Sequence, residues 1–298
     1  MIHVIGSINL DLIATTPRLP LPGETLAGGT FTTAPGGKGA NQALAACRAG
    51  SRVALTGAVG RDAFAGEALA LLESGGVDLT GVARADAATG IALILVGGDG
   101  ENVIVVIPGA NALVSPFVVE DLQIAARDAV VLQFEIPLET VAAALKASRK
   151  AGALSILNTA PFRPEAASLL GQADIVVANE TEFDLYAEAL ALKGKDRQAR
   201  MTAFTTATGR TMIVTLGGDG VLAATPDGGL FTVPALKITP VDTVGAGDTF
   251  CGYLAAALDA GEPLKAALKR AAAAASLACL KPGAQPAIPM KAELDAAL

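Results

Sequence analysis

The sequence predicts an α/β fold: a mostly parallel central sheet covered by helices, with a small β lid beside it. Three observations carry that prediction. Short apolar runs alternate with helix-period segments along most of the chain, the pattern of strands buried on both faces. In two places the alternation breaks, and paired strand-like runs follow each other with no helix between them. The 298 residues, 52% of them hydrophobic, suffice for one large core, and no linker divides residues 1–298 into separate domains.

Residues 53–58, 129–133, 154–157, 175–178 and 212–216 read as buried strands, each short, apolar and closed by polar or glycine-containing turns. Pro137 opens a helix at a position where its missing N–H costs little; Leu138, Val141, Ala142 and Leu145 share a face, and Gly152 ends it. Phe250, Leu254 and Leu258 recur every four residues, and Gly261 supplies a stop. The exceptions are residues 10–16 and 24–33, joined through Pro17, Pro20 and Pro22, and residues 91–96 and 102–107, joined by Gly97-Gly98-Asp99-Gly100. These four runs are expected to form a lid apart from the main sheet; extra edge strands of that sheet are the alternative.

Composition excludes several function classes. With 22 Lys and Arg against 29 Asp and Glu, the net charge is −7, unsuited to a nucleic-acid backbone. The opening residues, Met1 to Gly6, carry no basic leader, and the most apolar helix-like run, residues 271–280, is too short to cross a bilayer. Cys47, Cys251 and Cys279 are odd in number and widely spaced in apolar surroundings, which favours buried reduced thiols over a disulfide framework or metal site, and a cytoplasmic location. His3, the only histidine, reads as structural.

The most informative stretch runs from Asp242 through Thr243-Val244-Gly245-Ala246-Gly247-Asp248-Thr249 into the Phe250 helix. Gly245, Ala246 and Gly247 form a turn whose backbone N–H groups can approach an anion, and the helix dipole adds to the attraction. Asp248 can accept a proton from an attacking hydroxyl there; a plain N-terminal cap is the alternative. The amides around it are expected to keep its pKa low, which a loose phosphoryl-transfer transition state tolerates.

A second glycine-rich turn, Pro35-Gly36-Gly37-Lys38-Gly39-Ala40-Asn41-Gln42, also enters a helix. It lacks the spacing and hydroxyl of a Walker A loop, and no dinucleotide fingerprint follows the first strand. Lys38 and Asn41 suit a polyol, since an ammonium and an amide both bond ring hydroxyls. Asn179-Glu180-Thr181-Glu182 reads on its own as a capped helix start, and Gly217-Gly218-Asp219-Gly220 as a hairpin turn.

Together with Gly6-Ser7-Ile8-Asn9-Leu10-Asp11, Pro22-Gly23-Glu24-Thr25, Pro108-Gly109-Ala110-Asn111, Gln133-Phe134-Glu135-Ile136-Pro137, Thr215-Leu216-Gly217-Gly218 and Gly283-Ala284-Gln285-Pro286, these segments closely resemble the ribokinase, or PfkB, family of carbohydrate kinases over nearly the whole chain. The resemblance implies a ribokinase-like three-layer α/β/α sandwich. It implies that Asn9, Asp11, Gly37, Lys38, Gly39, Ala40, Asn41 and Glu135 surround a sugar, with Asp248 as catalytic base. Asn179, Thr215, Leu216, Gly217, Gly218, Asp219, Gly220, Gly247 and Ala272 would hold ATP, and Glu182 would reach Mg²⁺ through water. Asp242 and the backbone carbonyls of Val244, Ala278, Lys281 and Gly283 would bind K⁺, and Ala287 completes the site's positions where relatives commonly carry a hydroxyl, so that oxygen is missing.

The activity so implied is ATP-dependent phosphorylation of D-ribose at O5, by a homodimer joined through the lid. The alternatives are the same chemistry on deoxyribose, a ketohexose or a nucleoside, and a non-catalytic sugar or nucleotide sensor. A sensor would be expected to lose the base or the anion loop, and both are intact.

Overall fold

The computed structural model describes all residues, Met1–Leu298. Thirteen strands form: β1 (Ile2–Ile5), β2 (Asn9–Thr15), β3 (Phe31–Gly36), β4 (Val53–Val59), β5 (Asp78–Arg84), β6 (Gly90–Val96), β7 (Asn102–Ile107), β8 (Ala129–Leu132), β9 (Leu154–Asn158), β10 (Ile175–Asn179), β11 (Thr211–Thr215), β12 (Val221–Ala224) and β13 (Leu230–Val233). The helices are α1 (Lys38–Arg48), α2 (Ala63–Gly75), α3 (Phe117–Glu120), α4 (Leu138–Ala151), α5 (Ala167–Leu170), α6 (Glu180–Ala189), α7 (Arg197–Thr208), α8 (Ala246–Asp259), α9 (Leu264–Ala278) and α10 (Lys291–Ala297).

Nine strands make one sheet in the order β13-β12-β11-β10-β9-β8-β1-β4-β5. From β11 to β5 neighbours run parallel, and β12 and β13 close the far edge as an antiparallel meander. Strand alternation sends successive side chains to opposite faces. Ile2 and Val4 of β1 and Ala129 and Val131 of β8 therefore pack on one side with α1, α2, α8 and α9. Ile5, Val130 and Leu132 pack on the other with α4, α6 and α7. The result is three layers, helix–sheet–helix.

The remaining four strands form a separate sheet ordered β3-β2-β6-β7, built as two antiparallel pairs joined by the parallel β2–β6 ladder. The run expected over residues 24–33 forms a strand only from Phe31 to Gly36. Before it, the N–H of Gly29 and the carbonyl of Thr30 meet Thr15, but the chain through Pro22 and Gly23 stays off the ladder. The lid is lightly buried: every residue of β7 is exposed, Val105 by 53%, and Phe31 is 66% exposed.

No helix is long and apolar enough to cross a membrane. Cys251 and Cys279 are buried thiols, whereas Cys47, expected buried, is half-buried at the end of α1 with its Sγ against the Gly75 carbonyl. His3 has a hydrogen-bonding partner that the sequence did not reveal: its Nε2 lies 3.2 Å from Asp128 Oδ2.

Candidate active site

The carboxyl ends of the parallel strands open onto three linked cavities. The first, of about 590 Å³, is lined on its polar side by Asn9, Asp11, Lys38, Asn41, Glu135 and Asp248, and on its lid side by Ala92, Ile94, Ile104 and Val106. A second, of about 430 Å³, lies against Thr215, Gly217, Gly218, Gly220, Gly247 and Ala272. Between them a chamber of about 200 Å³ is lined by Asn158, Asn179 and Glu182. The chamber shares Lys38, Gly245 and Asp248 with the first cavity and Thr215 and Gly247 with the second. A ligand in the second cavity that extends into the chamber therefore comes up to Asp248, which the first cavity shares.

Local structure places each group. Gly37 precedes α1 at φ 90°, a left-handed conformation, and a Cβ there would lie 2.9 Å from Ile8 Cα, so only glycine lets the turn close on β1. Glu135 Oε2 then accepts from Ser7 Oγ at 2.6 Å and from the Lys38 N–H at 3.1 Å, joining the ends of β1 and β8 to the start of α1. Asn111 donates to the side-chain oxygen of Asn9 at 2.7 Å and brackets the Ile8 backbone. This turns the Asn9 NH₂ away from Asn111 and leaves it free for a ligand. Gly245 starts α8 at φ 75°, beside Ala284.

Asp248, 7% exposed, accepts at Oδ2 from Asn41 Nδ2 and at Oδ1 from Gln42 Nε2, each at 2.9 Å. The expectation of a low pKa is overturned: burial raises it, and Lys38 with the Asn41 and Gln42 amides offsets that only in part. Burial, with the charges of Glu135 and Asp248 added, pushes the Asp11 carboxyl up to about 7. For Lys38 burial disfavours the charge, but Asp248, Glu135 and Glu182 outweigh it and raise the pKa. The cluster thus holds one firm ammonium beside Asp11, whose carboxyl can take a proton near neutral pH, and Asp248, whose proton affinity burial raises.

A family model described as pfkB family carbohydrate kinase matches residues 1–291. The chain belongs to that family. A ribokinase of Bacillus subtilis (strain 168) is 36% identical over 302 residues, covering 99% of this chain and 98% of the relative. A deoxyribokinase of Salmonella typhi is 37% identical over 295 residues, covering 97% and 95%. Among solved structures, Arabidopsis thaliana ribokinase complexed with ribose and ATP superposes with a TM-score of 0.87 at 30% identity, covering 99% of this chain and 97% of the other.

Within this pfkB kinase, not every residue expected at the site borders a cavity. Gly39 and Ala40 are buried against the end of β1, their N–H groups bonded to Ser7 Oγ and the Ser7 carbonyl. Leu216 and Asp219 belong to the short turn joining β11 to β12, the hairpin reading of that segment, and only its glycines reach the cleft. Ala246 does border the glycine-lined cleft, but its N–H is directed at the Thr243 carbonyl, 3.3 Å away. Lys281 points to solvent and pairs with Glu293 at 3.0 Å, and Ala287 is buried. Asn179 and Glu182 form a reciprocal capping box at the start of α6 while also lining the chamber, so the structural and ligand-binding readings coexist.

Sequence reasoning missed Gln42, Gln133, Asn111, Asn158 and Arg163. Gln42 immediately follows Asn41, and Asn111 and Gln133 lie inside segments that carried the resemblance, yet each works through a partner about 90 to 200 residues away.

Proposed function

We propose that this pfkB kinase transfers the γ-phosphoryl group of ATP to O5 of D-ribose, giving ribose 5-phosphate and ADP. One observation carries the reading: Asp248 is common to the polar cavity and the chamber leading to the glycine-lined cleft, with both its oxygens already oriented. The ribokinase relatives, including one with ribose and ATP in its structure, support this acceptor.

In the proposed step the sugar O–H bond breaks and its proton passes to the Asp248 carboxylate. The hydroxyl oxygen bonds the γ-phosphorus as the bond to the bridging oxygen breaks, leaving ADP. Asn9, Asp11 and Asn41 orient the sugar, and an effective local concentration replaces a chance encounter. The open first-turn amides of α8 and the Lys38 ammonium stabilise charge on the transferring group.

Mg²⁺ fits the chamber, where Glu182 and the oxygens of Asn158 and Asn179 offer hard donors. No three His, Cys, Asp or Glu side chains converge there, which suits a cation kept largely by phosphate and water. Glu182 Oε2 is occupied by Thr159 and the Asn179 N–H, leaving its other oxygen for metal-bound water. Bound Mg²⁺ would neutralise phosphate charge.

One arrangement supports K⁺: Asp242 accepts from the N–H of Val244 and of Gly283, drawing together loops that, with the helix-terminal carbonyl of Ala278 and that of Lys281, would supply ligands. The Ala287 side chain adds no oxygen. The exposed apolar lid supports a homodimer, since an uncovered sheet of this kind favours pairing with another. An ATP-using enzyme with three free thiols fits the cytoplasm.

Deoxyribose is the second reading, favoured by the Salmonella relative, whose identity matches that of the ribokinases. A coupled ADP-release assay against ribose, deoxyribose, fructose and nucleosides, with and without K⁺, tests both; no turnover on any of them would remove the kinase assignment.

A further inference from the structure

Behind the proposed base lies a chain of buried amides that touches no ligand cavity. Gln42 and Gln133 are both 0% exposed, and neither borders the three linked cavities. Gln42 Nε2 donates to Asp248 Oδ1 at 2.9 Å and lies 3.4 Å from Asn158 Oδ1. Its own oxygen accepts from Gln133 Nε2 at 2.7 Å, while Gln133 Oε1 has no partner. The polarity follows from the proposed role: the ionised carboxylate of a base only accepts, so Gln42 turns its NH₂ toward Asp248 and its oxygen away, where Gln133 fills it.

Asn41 and Gln42 are consecutive on α1 and project about 100° apart, so they grip the carboxylate from two sides and fix its plane. The grip needs α1 and α8 unusually close. Gly252, one turn beyond Asp248, provides that: a Cβ there would lie 2.6 Å from the Gln42 carbonyl oxygen.

We propose that Gln42, oriented by Gln133, is a positioning residue for phosphoryl transfer, holding the Asp248 carboxylate in the plane that receives the hydroxyl proton. This rests on the reading of Asp248 as base. The charged and titratable groups around Asp248 are Lys38 of α1, Asp11 of β2, Glu135 after β8 and Cys251 of α8, with Glu182 of α6 lining the same chamber. Gln42 acts against the burial that disfavours the anion, so its loss should move proton uptake to higher pH.

The test is the pH profile of kcat for Gln42→Met and Gln133→Met, both of similar volume and without a donor. Gln42→Met should lower kcat by roughly 10–100-fold, with KM for ribose and ATP within about twofold and the acid limb shifted up by about one unit. Gln133→Met should shift it the same way by less, and carries the test alone if Gln42→Met does not fold. Profiles overlaying the parent's, with only thermal stability reduced, would overturn the proposal while Asp248→Asn remained inactive. An active Asp248→Asn would instead remove the base assignment and this inference with it.

Discussion

Two helices in this chain begin the same way, each after a glycine with positive φ, and they do opposite things with their free amides. At α1 the N–H groups of Lys38, Gly39 and Ala40 are consumed by Glu135, Ser7 Oγ and the Ser7 carbonyl. At α8 Ala246 N–H is directed at Thr243, and Gly247 and Asp248 face the cavities, as the unpaired donors of a helix start. The first turn is therefore scaffold, fastening the proposed polyol-binding side chains to the sheet rim. The second, with its donors open, is the proposed anion seat. A glycine-rich turn entering a helix becomes a phosphate site only where nothing in the fold has already claimed its donors.

The sharpest test of this contrast is at the second turn. Asp248→Asn should lower turnover by about 10²–10⁴-fold while calorimetric binding of sugar and nucleotide stays within a few-fold, because the amide keeps the shape and loses the proton acceptor. Next come the two capping glycines. Gly245→Ala places a Cβ 2.8 Å from that of Ala284 at φ 75°, and should lower kcat by roughly 10–100-fold. Gly37→Ala is strained at φ 90° but should act chiefly on the sugar, raising its KM by about tenfold. If both variants altered the same kinetic parameter, the distinction between scaffold and seat would fail.

Asp11 gives a smaller effect with a definite sign. Its folded pKa, about 7, exceeds the ordinary 3.8, so the ligand-free fold binds the extra proton and loses stability as pH rises through that interval. Asp11→Asn should therefore raise the ligand-free Tm relative to the parent at pH 8 by roughly 2–6 °C, and by much less at pH 4, while weakening sugar binding. Equal differences at the two pH values would contradict the shift. The smallest change is expected from Ala287→Ser, which adds a hydroxyl four residues beyond Gly283, whose N–H meets Asp242, and should lower half-saturating K⁺ at the proposed site by no more than about tenfold.

The central strands were legible to within a residue or two because each is an apolar run bounded by turn residues. β5, at the sheet edge, was not, since Asp78-Leu79-Thr80-Gly81 mixes polarities and lacks that signature. The lid was legible in its hairpin β6–β7, and displaced in β3, where only Gly29 and Thr30 of the residues before Phe31 bond β2, and residues 24–28 do not. At the site, the two glycine turns announced themselves locally. What stayed hidden was tertiary: the Gln133–Gln42–Asp248 contacts join three distant segments, and the upward pKa of Asp248 comes from burial, which no local motif encodes.

Five consecutive β-branched residues, Val103 to Ile107, stand uncovered on β7, an edge of the smaller sheet. A free strand of this composition is where chains would first adhere to one another during concentration or storage. The solution lifetime of the purified protein should therefore depend on whether that edge is occupied, and a single lysine at Val105 should lengthen it.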